Sequence, residues 1–187
     1  MKKSNRTSRE EWLDFALGQL VSFGPAVLTI AKLCEQLKLT KGSFYHHFSN
    51  RNDFIKQLMA YWYQTTTLDF IKIANEENSP LERLQRLDQV IAASNIDAER
   101  HIRAWALREP TIVQHLEQID HQRTQYLSEC YQGLGIDKSR AMDIATLTYS
   151  NFLGMLFMYP QPSIDTALRI SALASKTLIA DIEGEDR

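Results

Sequence analysis

Between Thr29 and Arg51 the chain gathers residue types suited to gripping a polyanion. Lys41 offers a point charge to a phosphate or a donor to a guanine edge. Gly42 has no side chain, so its backbone can come close to a nucleic acid. Ser43, Tyr45, His46 and His47 supply short hydrogen-bonding groups. Thr29 and Thr40 stand where a hydroxyl and the N–H groups of a helix start can hold phosphate oxygens together, and Arg51 can clamp another phosphate. Phosphate contacts of this kind make binding salt-dependent and set register, while a few base-edge contacts set sequence preference.

Such groups work only if the backbone presents them on one face. A first helix is expected from about Ser8 to Phe23, with Trp12, Phe15, Ala16, Gln19 and Leu20 at helical spacing and Gly24-Pro25 as its stop. Thr29 caps a short second helix, Ile30 to Leu37, whose inward positions are Ile30, Leu33, Cys34 and Leu37. After the tight Lys38-Leu39 connection, Thr40 caps a third helix, Lys41 to Phe48, with Phe44 and Phe48 facing the core. Two short helices on a tight turn cannot form a core alone. With the first helix they make a three-helix, helix-turn-helix cluster that projects its third helix outward, where it fits a DNA major groove. Asn50 and Asp53 resemble a capping box opening a fourth helix, with Phe54, Leu58, Met59 and Trp62 on its buried side.

Charge and composition agree with that division. Residues 1–60 hold nine basic and five acidic groups, whereas the other 127 hold 12 and 18, so a basic head precedes an acidic body within a chain of net charge −2. Twenty-two Leu against four Val, with only seven Gly and five Pro in 187 residues, favour an all-α protein over a sandwich or barrel. Later helices are expected at roughly 80–93, 97–108, 111–133, 138–159 and 163–180, making about nine in all. Cys34 and Cys130 stand alone, without zinc spacing, and MKKSNRTSREE has no apolar core of a secretory signal, which together point to the cytoplasm. The uncharged run 144–164 carries Thr, Ser and Asn and ends in Pro160-Gln-Pro162, so it reads as a buried helix rather than a membrane span. Lys2, Lys3 and Arg6 read equally as an arm touching DNA or a solvated tail.

The run Leu39-Thr-Lys-Gly-Ser-Phe-Tyr-His-His-Phe48, followed by Ser49-Asn-Arg-Asn-Asp-Phe54, resembles the signature of the TetR family of transcriptional regulators, and Thr29-Ile-Ala31 matches the start of its second helix. The close resemblance covers about residues 8–62; Trp105–Pro110 and the Gly154-containing helix resemble the family's body more loosely. It implies an all-helical homodimer: a head over residues 1–50 that binds double-stranded DNA at a palindromic operator, and a body over 51–187 that dimerises and takes a small-molecule effector, with 51–62 as the connecting helix. Carried over residue by residue, phosphate contact falls to Thr29, Thr40, Tyr45 and Arg51. Base or groove contact falls to Lys41, Gly42, Ser43, His46 and His47. Phe44 stands where the family often has Leu, and Arg51 where Lys is commoner.

In the body, Leu147, Phe152, Met155, Leu156 and Tyr159, among the small residues Ala145, Ser150 and Gly154, suit a dimer interface. So do Ile164, Ala167, Leu168, Leu173, Ala174 and Leu178 on the last helix, the two helices pairing with their copies as a four-helix bundle. Trp62, His101, Trp105, Tyr126, Tyr149 and Phe152 could line an effector pocket, or simply be core. Arg103, Arg108 and Arg123 could meet a carboxylate or form ordinary ion pairs. His115, Glu117, Asp120 and His121 do not share one face cleanly, so no metal is expected, nor any cofactor. With no nucleophile elbow, phosphate-cradling loop or paired carboxylates, an enzyme is not expected either. The leading expectation is a dimeric transcriptional repressor released by an effector. The alternative is a DNA-bound protein acting mainly through a protein partner.

Overall fold

Capping decides where the first elements start. In the computed structural model, which describes residues 7–185 with the side chains of 175 and 177–185 excepted, α1 (Arg9–Phe23) opens on a full capping box. Ser8 Oγ accepts from the Glu11 N–H at 3.1 Å, and Glu11 Oε2 accepts from the Ser8 N–H at 2.6 Å. Gly24, at φ 72°, ends the helix in a conformation open to glycine, and a 3₁₀ turn at Pro25–Val27 leads to α2 (Ile30–Leu37). Lys38, at φ 54°, is the left-handed residue that makes the connection tight, and α3 (Lys41–His47) follows. Thr29 and Thr40 are the N-caps expected of them, accepting from Lys32 N–H at 3.3 Å and Ser43 N–H at 3.2 Å.

These elements and α4 (Arg51–Tyr63) close on an aromatic core. Trp12 lies edge-on to Phe44 at 5.6 Å between ring centres and to Phe48 at 6.4 Å, and Phe54 approaches Phe44 at 5.6 Å and Phe48 at 5.1 Å. All four rings are buried. Such packing adds about 0.5–1.5 kcal/mol per pair beyond the burial of area. Leu20, Leu28, Leu33, Leu58, Met59 and Trp62 complete the buried set, and Ile30 and Leu37 are half-buried. The turn into α4 differs in one detail from a capping box. Asn50 Oδ1 accepts from the Asp53 N–H at 2.9 Å, but Asp53 reaches past Asn50 to the N–H and hydroxyl of Ser49, at 2.8 and 3.0 Å. Hydrogen bonds from Gln57 and Ser49 hold the Asp53 carboxyl below its ordinary range.

The described chain is helical throughout. After α4 come a π-helical turn at Gln64–Leu68, α5 (Asp69–Ala74), α6 (Pro80–Ala93), α7 (Asp97–Ala106), α8 (Pro110–Gly133), α9 (Lys138–Leu156) and α10 (Ile164–Glu185). The fourth helix thus runs on through a π turn into α5 instead of stopping near Trp62. Its cause is the Thr65-Thr66 pair, whose hydroxyls donate to the carbonyls of Tyr61 (2.9 Å) and Trp62 (2.7 Å) and disturb the regular ladder. The start of α6 is as expected, with Ser79 and Glu82 forming a capping box and Pro80 in the first turn. Helix α9 ends at Leu156, three residues short of the expected 159.

The chain divides into two compact units. The first holds residues up to Thr66 together with 96–116, so α7 and the start of α8 join the head, where α7 packs on α1. The second holds 67–95 and everything from Glu117 onward. In this second unit Ala74, Tyr126 and Cys130 form one buried cluster with Ile71, Leu84 and Leu87. Tyr131, Ala141, Ile144 and Ala145 form another with Leu84, Leu127 and Ile136.

Asp88 on α6 is half-buried, and desolvation raises its carboxyl from the ordinary 3.8 to about 6. The folded state therefore holds that proton where the unfolded chain has lost it, and stability falls as pH rises from about 4 to about 6. Asp88→Asn is expected to stabilise the protein above pH 6, by at most about 3 kcal/mol, with the advantage vanishing below pH 4. Denaturant titrations at pH 4 and pH 7.5 check both the size and the sign.

Candidate nucleic-acid interface

Helix α3 has two faces of opposite character. Phe44 and the capping Phe48 point into the aromatic core, whereas Lys41, Gly42, Tyr45 and His46 are exposed and Ser43 is half-buried. A seven-residue helix can present this face only because Thr40 caps one end and the Phe44–Phe48 pair anchors the inner side. Tyr45 is 54% exposed, unusual for a ring this size, and its ring meets Phe44 edge-on at 5.6 Å. Thr29 and Thr40 are exposed at the starts of α2 and α3. In each, the capping bond uses the hydroxyl oxygen as acceptor and leaves its hydrogen to donate outward, for example to a phosphate.

Two of the expected contact residues are tied into the head. Arg51 Nε donates to the Leu28 carbonyl at 3.3 Å, joining the start of α4 to the chain just before Thr29. His47 is half-buried, and its Nε2 lies 2.9 Å from the Thr7 carbonyl, 40 residues away in sequence. A carbonyl only accepts, so this nitrogen carries the proton. The structure thus brings Lys41, Gly42, Ser43, Tyr45 and His46 together on one side of α3, with Thr29 and Thr40 at helix starts. Lys2, Lys3 and Arg6 lie outside the described residues.

Gly42 allows a test that separates folding from recognition. A Cβ built there meets only Thr40 Oγ1, at 3.6 Å, an ordinary contact. Gly42→Ala is therefore expected to leave the head intact and to favour the helix by up to about 1 kcal/mol. If the backbone at this point approaches DNA, the same methyl weakens binding. Thermal denaturation and a DNA titration on the one variant should move in opposite directions.

The other expected sites fare differently. Of the six ligand candidates, Trp62, His101 and Trp105 belong to the first unit and Tyr126, Tyr149 and Phe152 to the second. Tyr126 donates to Asn75 Oδ1 at 3.1 Å, and burial beside Cys130 pushes its hydroxyl far above the ordinary range. Tyr149 donates to Asp120 at 2.7 Å and accepts from Arg123 at 3.1 Å, while Arg123 Nε donates to the buried Thr67 hydroxyl at 2.9 Å. Arg103 pairs with the buried Glu99 at 2.7 Å. Composition did not disclose these networks; the Thr65–Thr67 run and the four-residue spacing of Glu99 and Arg103 were the available signals. Burial pushes both thiols, Cys34 and Cys130, upward. No group of three or more His, Cys, Asp or Glu is placed to hold a metal ion among the described residues, and none of their helices is long and apolar enough to cross a membrane.

On the expected dimer helices, Met155, Leu156, Ala145 and Ala167 are buried within the chain, because that side of each helix packs inward. Leu147, Ser150, Gly154 and Tyr159 on the α9 side, and Leu173 on α10, are exposed, as are Phe157 and Met158, which the sequence did not single out. A Cβ at Gly154 would meet nothing within 4 Å. The side chain of Leu178 lies outside the described residues.

A capped tri-helical unit with an outward, cationic third helix is a helix-turn-helix head. Residues 13–58 match the family model described as "Bacterial regulatory proteins, tetR family". Solved structures extend the likeness along the chain. A TetR-family transcriptional regulator from Streptomyces coelicolor is 10% identical, covers 92% of this chain and 88% of its own, and superposes with a TM-score of 0.75. A TetR transcriptional regulator from Legionella pneumophila is 15% identical over 95% and 99%, with a TM-score of 0.72. A protein described as a transcriptional regulator from Saccharomonospora viridis, solved in complex with choline, is 13% identical over 88% and 93%, with a TM-score of 0.70. No match was found among curated proteins. The helix-turn-helix segment thus matches the tetR family of bacterial regulatory proteins, and the chain as a whole has the fold of TetR-family regulators.

Proposed function

We propose that the protein is a dimeric DNA-binding transcriptional regulator of the cytoplasm, a repressor whose hold on a palindromic operator is released by a small-molecule effector. The observation that carries this reading is the split character of α3: an inner aromatic anchor and an outer face of Lys41, Gly42, Tyr45 and His46 that the fold leaves exposed. In this reading residues 1–50 are the DNA-binding domain. Lys41, Gly42, Ser43, His46 and His47 serve the groove, and Thr29, Thr40, Tyr45 and Arg51 the phosphates. Residues 51–187 dimerise and take the effector, with 51–62 as the connecting helix.

Dimerisation is supported by the exposed Leu147, Gly154, Phe157 and Met158 of the α9 side and Leu173 of α10, a face where a glycine with open space above it lets a second helix come close. One short helix reads few base pairs; two at fixed spacing read a palindrome. For the effector, the candidate lining residues are Trp62, His101 and Trp105 within the first unit and Tyr126, Tyr149 and Phe152 within the second, each set considered by itself, and the choline-bound regulator of similar fold supports a small-molecule ligand. Whatever it is, the effector acts only through its difference in affinity for the DNA-competent and DNA-released arrangements. Selection of bound duplexes from a random library with purified protein tests the function: an inverted repeat is the expected outcome, and recovery of unenriched sequence counts against it.

A further inference from the structure

Within the second unit, helix α6 turns an apolar side toward its neighbours without being sealed by them. Leu84 and Leu87 pack against the buried cluster of Ala74, Tyr126 and Cys130. Yet none of the helix's 14 residues is fully buried, and Leu84, Leu87 and Ile91 are all half-buried. Helical spacing puts Asp88 on this same side, one turn beyond Leu84 and one turn before Ile91.

A carboxylate on an apolar face is normally matched by a cation or by hydrogen-bond donors. Asp88 has neither. Among the described residues no hydrogen bond or ion pair reaches it, and burial acts on its ionisation with no neighbouring charge to offset it. The cations of its own helix are engaged elsewhere: Arg83 Nε donates to the Glu77 carbonyl at 3.0 Å, and Arg86 donates to Gln89 Oε1 at 3.3 Å. The start of α6 abuts the end of α8, since a Cβ added at Gly133 would come within 2.6 Å of the Pro80 ring. With Leu84 and Leu87 against the Tyr126–Cys130 cluster, the two helices run antiparallel from that contact. Asp88 lies about 12 Å along α6 from Pro80, and Tyr126 about 10 Å back along α8 from Gly133, so the carboxylate and the aromatic ring fall at one level.

We infer that Asp88 is the anionic contact of a ligand site in the second unit, and that its ligand is a small organic cation with an apolar body, an alkyl- or arylammonium. The ammonium pairs with the carboxylate, and the body covers the open side of Leu84, Leu87 and Ile91. This rests on the effector reading and adds to it the charge of the effector. Charge complementarity selects this occupant: a neutral molecule leaves the carboxylate unpaired, and an anion is repelled by it. An aromatic ring at the same level also suits an ammonium.

Asp88→Asn is a clean probe, because loss of this charge is expected to stabilise the fold rather than damage it. Benzyltrimethylammonium and hexyltrimethylammonium, with benzyl alcohol, hexanol, benzoate and hexanoate as neutral and anionic counterparts, are titrated calorimetrically into the unaltered chain, Asp88→Asn and Asp88→Glu. The unaltered chain should prefer the cations. Asp88→Asn should bind them about 10–100-fold more weakly with little change for the alcohols, and Asp88→Glu should retain part of the preference. No binding of either cation, or equal binding by Asp88→Asn, would overturn the inference. So would a change of dimer mass in Asp88→Asn without cation binding, which would assign the open side of α6 to a second copy of the chain. Release of a selected duplex by the same cations, from the unaltered chain and not from Asp88→Asn, is the expected link to the effector role; binding without release would overturn that role. A chain that takes the cations but binds no duplex would leave the site standing and overturn the proposed function instead.

Discussion

Replacing Lys41 and Tyr45 together with alanine is expected to lower operator affinity by about 10²–10³-fold while leaving the fold intact. The estimate takes about 1 kcal/mol or somewhat less for each lost contact, counted twice because a twofold complex presents both heads. Loss of the two Lys41 charges should also reduce the salt slope by about 2. Both side chains are exposed, so the change in unfolding free energy should stay within about 0.5 kcal/mol, apart from the edge contact of Tyr45 on Phe44. The measurement is a fluorescence titration of a selected duplex at several salt concentrations, paired with thermal denaturation. Unchanged affinity and slope would remove α3 from the interface.

The adjacent Phe44 should behave in the opposite way. It is fully buried and its ring meets Trp12, Phe48 and Phe54 at centroid distances of 5.6, 5.0 and 5.6 Å, so Phe44→Ala empties the centre of the head. The expected cost is about 3–5 kcal/mol, enough to unfold most of a marginal domain. DNA binding should vanish with it, although Phe44 itself faces away from the exposed side of α3. Phe44→Leu keeps most of the volume and should cost less than about 1.5 kcal/mol. Denaturant titration followed by far-ultraviolet circular dichroism separates the two. A Phe44→Ala head as stable as the parent would mean that the aromatic cluster does not hold α3 in place.

Elements governed by local rules were readable in advance. Thr29, Thr40 and Ser79 cap the helices they precede, since a hydroxyl at that position satisfies a backbone donor nothing else reaches. The inner face of α3 followed from the four-residue spacing of Phe44 and Phe48. What could not be read depends on distant partners. His47 looks like one more polar residue of a basic helix until the fold brings Thr7 beside it. The return of α7 to the head, the Thr67–Arg123–Tyr149–Asp120 network and the partial burial of Asp88 are likewise products of tertiary packing. The dimer helices show the same division: periodicity identified them as apolar, but not which side the chain itself covers. Met155 and Leu156 turn inward while Leu147 stays exposed.

The most direct measurement is the mass and salt dependence of the complex formed on a duplex carrying the selected site, by sedimentation of labelled DNA. Two chains per palindrome, or a multiple of two, with affinity falling steeply as salt rises, is the predicted result. A single chain bound, or no complex even at low ionic strength, would contradict the account.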